Sequence, residues 1–232
     1  TLGEETLNFL SRDNQRINQW RFYAGQEHTL GKDWGLNYGV AYTTALDNSY
    51  QMYYDPETEA PLPDNNMKSR RREQTVNFYA GLSKSFGEKL SADVSLAAEQ
   101  YHTDMWNEWS LYPVANLTYL PAPGHILQFS LSSDKEYPEY WSMQNSTSYM
   151  GAYSEIQGNP FLKPATNYET TLSYILKGKY VLSAYYSRTK NKEMQTLYQS
   201  PERLVEIYKC FNFDFSEQAG LVMVVPFKVK KW

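Results

Sequence analysis

Cysteine is nearly absent. The single thiol, Cys210, excludes an internal disulfide framework and any multi-cysteine zinc site. Long apolar runs are absent too. Nothing approaches the roughly 18 consecutive apolar residues of a spanning helix, which excludes a helical membrane protein. Positive charge is not in excess: 22 Lys and Arg stand against 26 Asp and Glu, a net charge of −4. That balance argues against nucleic acid as a partner of the whole chain. The histidines His28, His102 and His125 lie in separate segments without metal-ligand spacing. There is no Gly-x-Ser-x-Gly nucleophile motif and no Gly-rich phosphate loop. The acid pairs Asp55/Glu57 and Glu136/Glu139 read as solvated loop residues. Nothing here points to an enzyme, a metal or a cofactor. The chain starts at Thr1 without the basic and apolar regions of a signal peptide, and it ends at Lys230-Lys231-Trp232 directly after a strand-like run. Both ends read as cut, so residues 1–232 are expected to be a fragment of one domain, with its N-terminal parts elsewhere.

What the chain has is aromatic side chains and alternation. Aromatics make up 16% of it, with 21 Tyr, 6 Trp and 10 Phe, too many for a disordered segment. From Trp34 to Leu46 the even positions are Trp34, Leu36, Tyr38, Val40, Tyr42, Thr44 and Leu46, and the odd ones are Gly35, Asn37, Gly39, Ala41, Thr43 and Ala45. Successive side chains of a strand point to opposite faces, so this is a strand with one bulky and one small face. The pattern returns around Val76–Leu82, Leu90–Ala98, Tyr168–Leu176, Tyr180–Tyr186 and Phe211–Phe227, and more weakly between Ile17 and Leu30. About nine strands are expected.

The connections alternate as well. Tight turns fall at Gly31-Lys32-Asp33, Gly87-Glu88-Lys89, Pro121-Ala122-Pro123-Gly124 and Lys177-Gly178-Lys179. Longer polar stretches, at about 47–73, 103–110, 134–166 and 199–203, read as loops. Short turns at one end and long loops at the other are the rhythm of an outer-membrane barrel. The small face carries Gly, Ser, Asn and Thr with few mid-strand charges, which suits a wet lumen. Trp34, Tyr42, Phe86, Tyr168, Tyr174, Tyr180 and Tyr186 gather near strand ends, like aromatic girdles. The mean hydropathy of −0.65 does not oppose this, because only alternate residues meet lipid. The expected fold is all-β: an antiparallel up-and-down transmembrane β-barrel, partial, because about nine strands form only an arc. A soluble all-β sheet with a Tyr-rich surface remains the alternative.

The run Gly158-Asn159-Pro160-Phe161-Leu162-Lys163-Pro164, followed by Tyr168-Glu169, resembles a segment of the C-terminal barrel half of TonB-dependent outer-membrane receptors. Tyr185–Lys192 is similar to the strand that follows in those receptors. Ile17–Thr44, with Trp34 and Gly39, resembles one of their hairpins. The nearer likeness is to the receptor-like outer-membrane β-barrel family of Bacteroidota. The resemblance implies a barrel of about 22 strands around a plug, residence among the lipids of the bacterial outer membrane, energy coupling to TonB, and import of a scarce nutrient. Neither plug nor TonB box is in this sequence. Two other functions stay open: a non-transporting barrel that scaffolds surface lipoproteins or envelope assembly, and a soluble β-rich binding module.

Three groups of residues are singled out. Trp106, Trp109, Tyr137, Tyr140 and Trp141, with Tyr149 and Tyr153, crowd the expected outer loops, where aromatic platforms suit sugars, haem-like rings or peptide side chains. Gly158, Asn159, Pro160, Leu162 and Pro164 read first as a mechanical motif, with positive φ at Gly158 and Asn159 and the prolines stiffening the descent into a strand. Lys68, Arg70, Arg71 and Arg72 form a basic run before a strand, able to meet lipopolysaccharide phosphates at an outer rim.

Overall fold

The computed structural model describes residues 8–227, with residues 63–65 described by their backbone alone. The terminal Lys230-Lys231-Trp232 lies outside the described residues. The chain forms one curved eleven-stranded sheet. Its strands are β1 (Leu10–Leu30), β2 (Trp34–Tyr54), β3 (Pro61–Phe86), β4 (Leu90–Thr103), β5 (Asn107–Tyr119) and β6 (His125–Glu136), then β7 (Thr147–Gly151), β8 (Ser154–Gln157), β9 (Ala165–Leu176), β10 (Tyr180–Gln199) and β11 (Glu206–Val224). The order is β1-β2-β3-β4-β5-β6-β9-β10-β11-β8-β7. All neighbours are antiparallel except β8, which runs parallel to the start of β11. The expectation of about nine strands is corrected to eleven. Nine long strands make the wall, and β7 and β8 arise within the stretch read as a loop at 134–166.

Tight turns close one end of the wall, as the Gly-containing reversals require. Lys32 and Asp33 (φ 64° and 60°), Gly87 (φ 64°), Gly124 (φ 79°), and Lys177 and Gly178 (φ 54° and 63°) take the left-handed conformation there. At the other end the expected loop at 47–73 is mostly strand. β2 continues to Tyr54 and β3 begins at Pro61, leaving only residues 55–60 as a turn. Asp55 holds that turn, its Oδ1 accepting from the N–H groups of Glu57 (3.0 Å) and Thr58 (2.8 Å). Twenty-one residues at about 3.4 Å each make β2 about 70 Å long, far more than a bilayer needs. Beyond the apolar band polar residues such as Asp47, Asn48, Ser49 and Gln51 enter both faces, so the ladder goes on where the hydropathy signal stops.

The bulky parity faces outward and stays uncovered. Phe78 is 50% exposed, Val94 46%, Leu96 48%, Leu172 51% and Leu182 49%, with no second protein layer against them among the described residues. Such a continuous apolar face excludes the soluble sheet, which would bury it. Burial lies elsewhere. Ala45, Tyr53, Tyr101, Tyr112, Met143, Leu162 and Cys210 are buried on the inner side toward the loop end, where the β6–β9 connection folds against the wall.

Candidate functional site on the inner wall

Residues 137–164 join β6 to β9 across the concave face. The fold of this connection follows from its polar anchors. On β2, the Tyr53 hydroxyl donates to the Thr147 carbonyl (2.5 Å) and Gln51 Nε2 to Ser148 Oγ (3.2 Å). Phe9, Tyr53 and Tyr149 pack ring against ring at 5.1–5.8 Å. On the far side the fully buried Glu155 accepts from Arg203 Nη2 at 2.8 Å. Asn159 Nδ2 donates to the Cys210 carbonyl (2.9 Å). Asn212 Oδ1 accepts from Lys163 N–H (2.7 Å), while its Nδ2 donates to the Lys163 and Asn191 carbonyls (3.0 and 2.8 Å). The connection therefore forms a strap from the β2 side of the arc to the β11 side.

At Gly158 two segments of the strap meet closely, just outside β7 and β8. A Cβ there would collide with the Gln144 carbonyl oxygen. The positive φ expected at Gly158 and Asn159 is not found. The glycine is required by close backbone approach rather than by a left-handed turn. Leu162, fully buried, forms an apolar nucleus with Met143 and Cys210, and Tyr140 packs on it. Pro160 and Pro164 flank this nucleus on the way into β9.

Beneath the strap lies a polar network that alternation places on the inner face of β3 and β4. Glu73 accepts from the hydroxyls of Tyr101 (2.9 Å) and Tyr140 (3.0 Å) and pairs with Arg71 at 2.9 Å. Glu99 accepts from the Tyr137 hydroxyl (2.6 Å) and pairs with Lys135 at 3.3 Å. Each carboxylate thus has one cation, and the site is close to neutral. Burial, together with the carboxylate each one faces, raises the pKa of the Tyr137 and Tyr140 hydroxyls above the ordinary tyrosine value. Both stay neutral donors at any physiological pH. Lys135 reaches Glu99 because β6 parts from β5 above the Ala115–Leu131 pair. Pro113, which lacks an N–H, sits just past that point, and its carbonyl accepts from Ser133 Oγ at 2.7 Å. The network borders a cavity of about 510 Å³ lined by Gln19, Arg21, Glu73, Glu99, Tyr101 and Tyr137 among others. That is room for a ligand of drug size, with aromatic faces and several hydrogen-bonding groups.

The residues singled out from sequence divide between the faces. Tyr137 and Tyr140 lie in the strap and line this cavity. Trp141, 49% exposed, borders a second hollow with Asp13, Gln51 and Ser148. Trp106 sits in the β4–β5 loop under the Lys163 ammonium, 4.3 Å from its ring centre. Its indole N–H is enclosed without a partner among the described residues. Trp109 is a correction: it is not in a loop but on β5, opposite Gln100 on the outward parity, and it is 58% exposed. The basic run is also corrected. It lies within β3, not before it, because the ladder continues through it. Alternation turns Arg71 inward to Glu73 and leaves Lys68, Arg70 and Arg72 exposed on the outward parity. Sequence reasoning missed Glu73, Glu99, Lys135 and Asn212. For Glu73 and Glu99 a signal existed, as charges on the small parity; for Lys135 and Asn212 no local pattern foretold a partner. Among the described residues no cluster of His, Cys, Asp or Glu is placed to hold a metal.

A long-stranded antiparallel wall, apolar outside and polar inside, is the wall of a transmembrane β-barrel. The chain belongs to the outer membrane protein beta-barrel family, whose pattern matches residues 2–232, and so is a protein of the bacterial outer membrane. Its fold is similar to that of several solved receptors. The siderophore receptor PirA of Acinetobacter baumannii is 12% identical, with a TM-score of 0.61 over 89% of this chain and 34% of that one. The ferric enterobactin receptor PfeA of Pseudomonas aeruginosa is 17% identical, with a TM-score of 0.60 over 89% and 32%. The hemophore receptor HasR of Serratia marcescens, solved with its hemophore and heme, is 9% identical, with a TM-score of 0.62 over 92% and 39%. The chain spans about a third of the length of these receptors. No characterised protein matches it in a sequence comparison.

Proposed function

We propose that this wall belongs to a TonB-dependent receptor that binds a scarce nutrient at the loop end and imports it through a plugged barrel. The observation that carries the reading is the cavity under the strap, where Tyr101, Tyr137 and Tyr140 surround two carboxylates that already have their cations. Aromatic faces, with tyrosine hydroxyls whose protons already go to Glu73 and Glu99 and whose oxygens can still accept, suit a ring-bearing, metal-chelating ligand or a haem-like macrocycle better than a small inorganic ion. Trp106, in the β4–β5 loop, holds its ring under the Lys163 ammonium. The role is binding and passage, not catalysis. The plug, the TonB box and any surface lipoprotein partner belong to the full-length protein.

The test is growth of a strain lacking the full-length gene, with ferric catecholate siderophore or haem as the sole iron source. Complementation by the wild-type gene restores growth, and dissipating the proton-motive force abolishes uptake. Trp141→Ala and Trp106→Ala lower uptake at limiting ligand, whereas Trp109→Ala, on the outward face, leaves it unchanged. Uptake indifferent to the gene, with a stoichiometric lipoprotein in the purified complex, would instead establish the scaffold.

A further inference from the structure

Alternation sorts the charges of β1–β3 by face. The neighbours Arg72 and Glu73 point to opposite sides, as do Arg12 and Asp13. The carboxylates Asp13, Asp47 and Glu73 go inward, and Arg16, Lys68, Arg70 and Arg72 go outward. On the ladder these cations occupy successive rungs: Arg72 lies opposite Leu46, Arg70 and Arg16 both lie opposite Asn48, and Lys68 lies opposite Tyr50. Among the described residues none of the four takes part in an ion pair, while Arg12 nearby pairs with Glu59 at 3.8 Å. On the β1–β2 side the partners on this face are Asn14, Asn18, Asn48, Tyr50 and Leu46, none of them acidic; on the other side the β3–β4 ladder stops at Glu73–Thr103, with Asp104 the next residue beyond it.

Their height on the wall is defined. The outward positions of β2 are bulky from Trp34 to Thr44, about 34 Å along the strand and about 25 Å of membrane at the usual tilt of about 40°. That matches the apolar band of a barrel. The cations begin on the next rung. They lie at the end away from the tight turns, which in such barrels is the extracellular end. Arg16 and Arg70 are two strands apart, about 10 Å, and Lys68 to Arg72 spans about 13 Å along the strand. This footprint exceeds one phosphodiester and fits a headgroup with more than one phosphate. At the opposite boundary a single outward Lys84 sits over the Trp34 ring at 4.4 Å.

We infer that Arg16, Lys68, Arg70 and Arg72 form an outward comb that binds the multiply phosphorylated sugar headgroup of an outer-leaflet glycolipid of the lipid A class. Guanidinium groups meet phosphate oxygens bidentately, and Tyr50 and the Asn side chains supply hydrogen bonds to sugar hydroxyls. The comb fixes the depth and tilt of the barrel in the outer leaflet. This inference rests only on the outer-membrane location and is independent of what, if anything, is imported.

The test uses the full-length protein in phosphatidylethanolamine nanodiscs doped with bis-phosphorylated lipid A, with retained lipid read by native mass spectrometry. The triple variant Arg16→Gln, Arg70→Gln, Arg72→Gln retains lipid A about ten-fold more weakly, and Lys84→Gln binds as the wild type does. Phosphatidylglycerol at equal mole fraction and inorganic phosphate do not displace it. If the triple variant fails the heat-modifiability check for a folded barrel, the wild type decides the matter with lipid A stripped of its phosphates: loss of retention supports the comb. Undiminished retention by a folded triple variant, equal retention of the dephosphorylated lipid, or displacement by either competitor overturns it.

Discussion

The two faces of β3 and β4 are built from alternate residues of the same backbone, yet they meet different solvents. Outward, Phe78, Leu82, Val94 and Leu96 are bulky, apolar and 43–50% exposed, with no layer of protein over them among the described residues. Inward, Glu73, Asn77, Glu99 and Tyr101 are polar and tied to one another, to Arg71 and Lys135, and to the strap. The outer face gains its stability from hydrocarbon, which asks only for apolarity and tolerates any packing. The inner face gains it from named partners, so each position is specific.

The largest effect should come from breaking the outer face at its centre. Leu96 lies opposite Ala80, which lies opposite Tyr38, near the middle of the apolar band. Leu96→Arg should cost about 2–4 kcal/mol in urea unfolding of the barrel in lipid. Its neighbour Ser95→Arg, on the wet face, should cost under about 1 kcal/mol. Equal costs would mean that the faces are misassigned. Next comes the strap. Gly158→Ala forces Gln144 away and should cost the strap about 2 kcal/mol. Limited proteolysis should then cut within 137–164 while the wall resists; a strap as protected as the wild type would show that the contact is dispensable. The smallest effect is on a single inner bond. Tyr137→Phe removes one donor to Glu99 while Lys135 remains, for about 1 kcal/mol. Hydrogen exchange of the strap should quicken by a few-fold, and no change would mean that the hydroxyl is equally well satisfied by water.

Some of this was legible in the residues. The parity that separates Leu96 from Ser95, the four tight turns, the all-β class and the partial barrel all follow from periods of two and the placement of Gly and Pro. The extended ends of β2 and β3 were not legible. Between Asp47 and Tyr54, and again from Lys68 to Arg72, polar residues appear on both faces, so hydropathy no longer reports a strand that hydrogen bonds still hold. Trp109 misled for the same reason: a Trp among polar neighbours reads as a loop, whereas its ladder partner Gln100 places it on the outer wall. At Gly158 the sequence pattern predicts a positive φ; the structure instead sets it against a carbonyl brought near by the strap, fourteen residues back in the chain.

By itself the sequence determined which side chains meet lipid and which meet the lumen, because in a strand that choice repeats every two residues and needs no knowledge of the partner. Only the tertiary structure decided that residues 137–164 cross the lumen, that Glu73 and Glu99 receive two tyrosines from them, and that Arg71 turns away from its basic neighbours. Those outcomes depend on contacts between residues up to about a hundred positions apart, such as Gln51 with Ser148, and no local period encodes such a pairing.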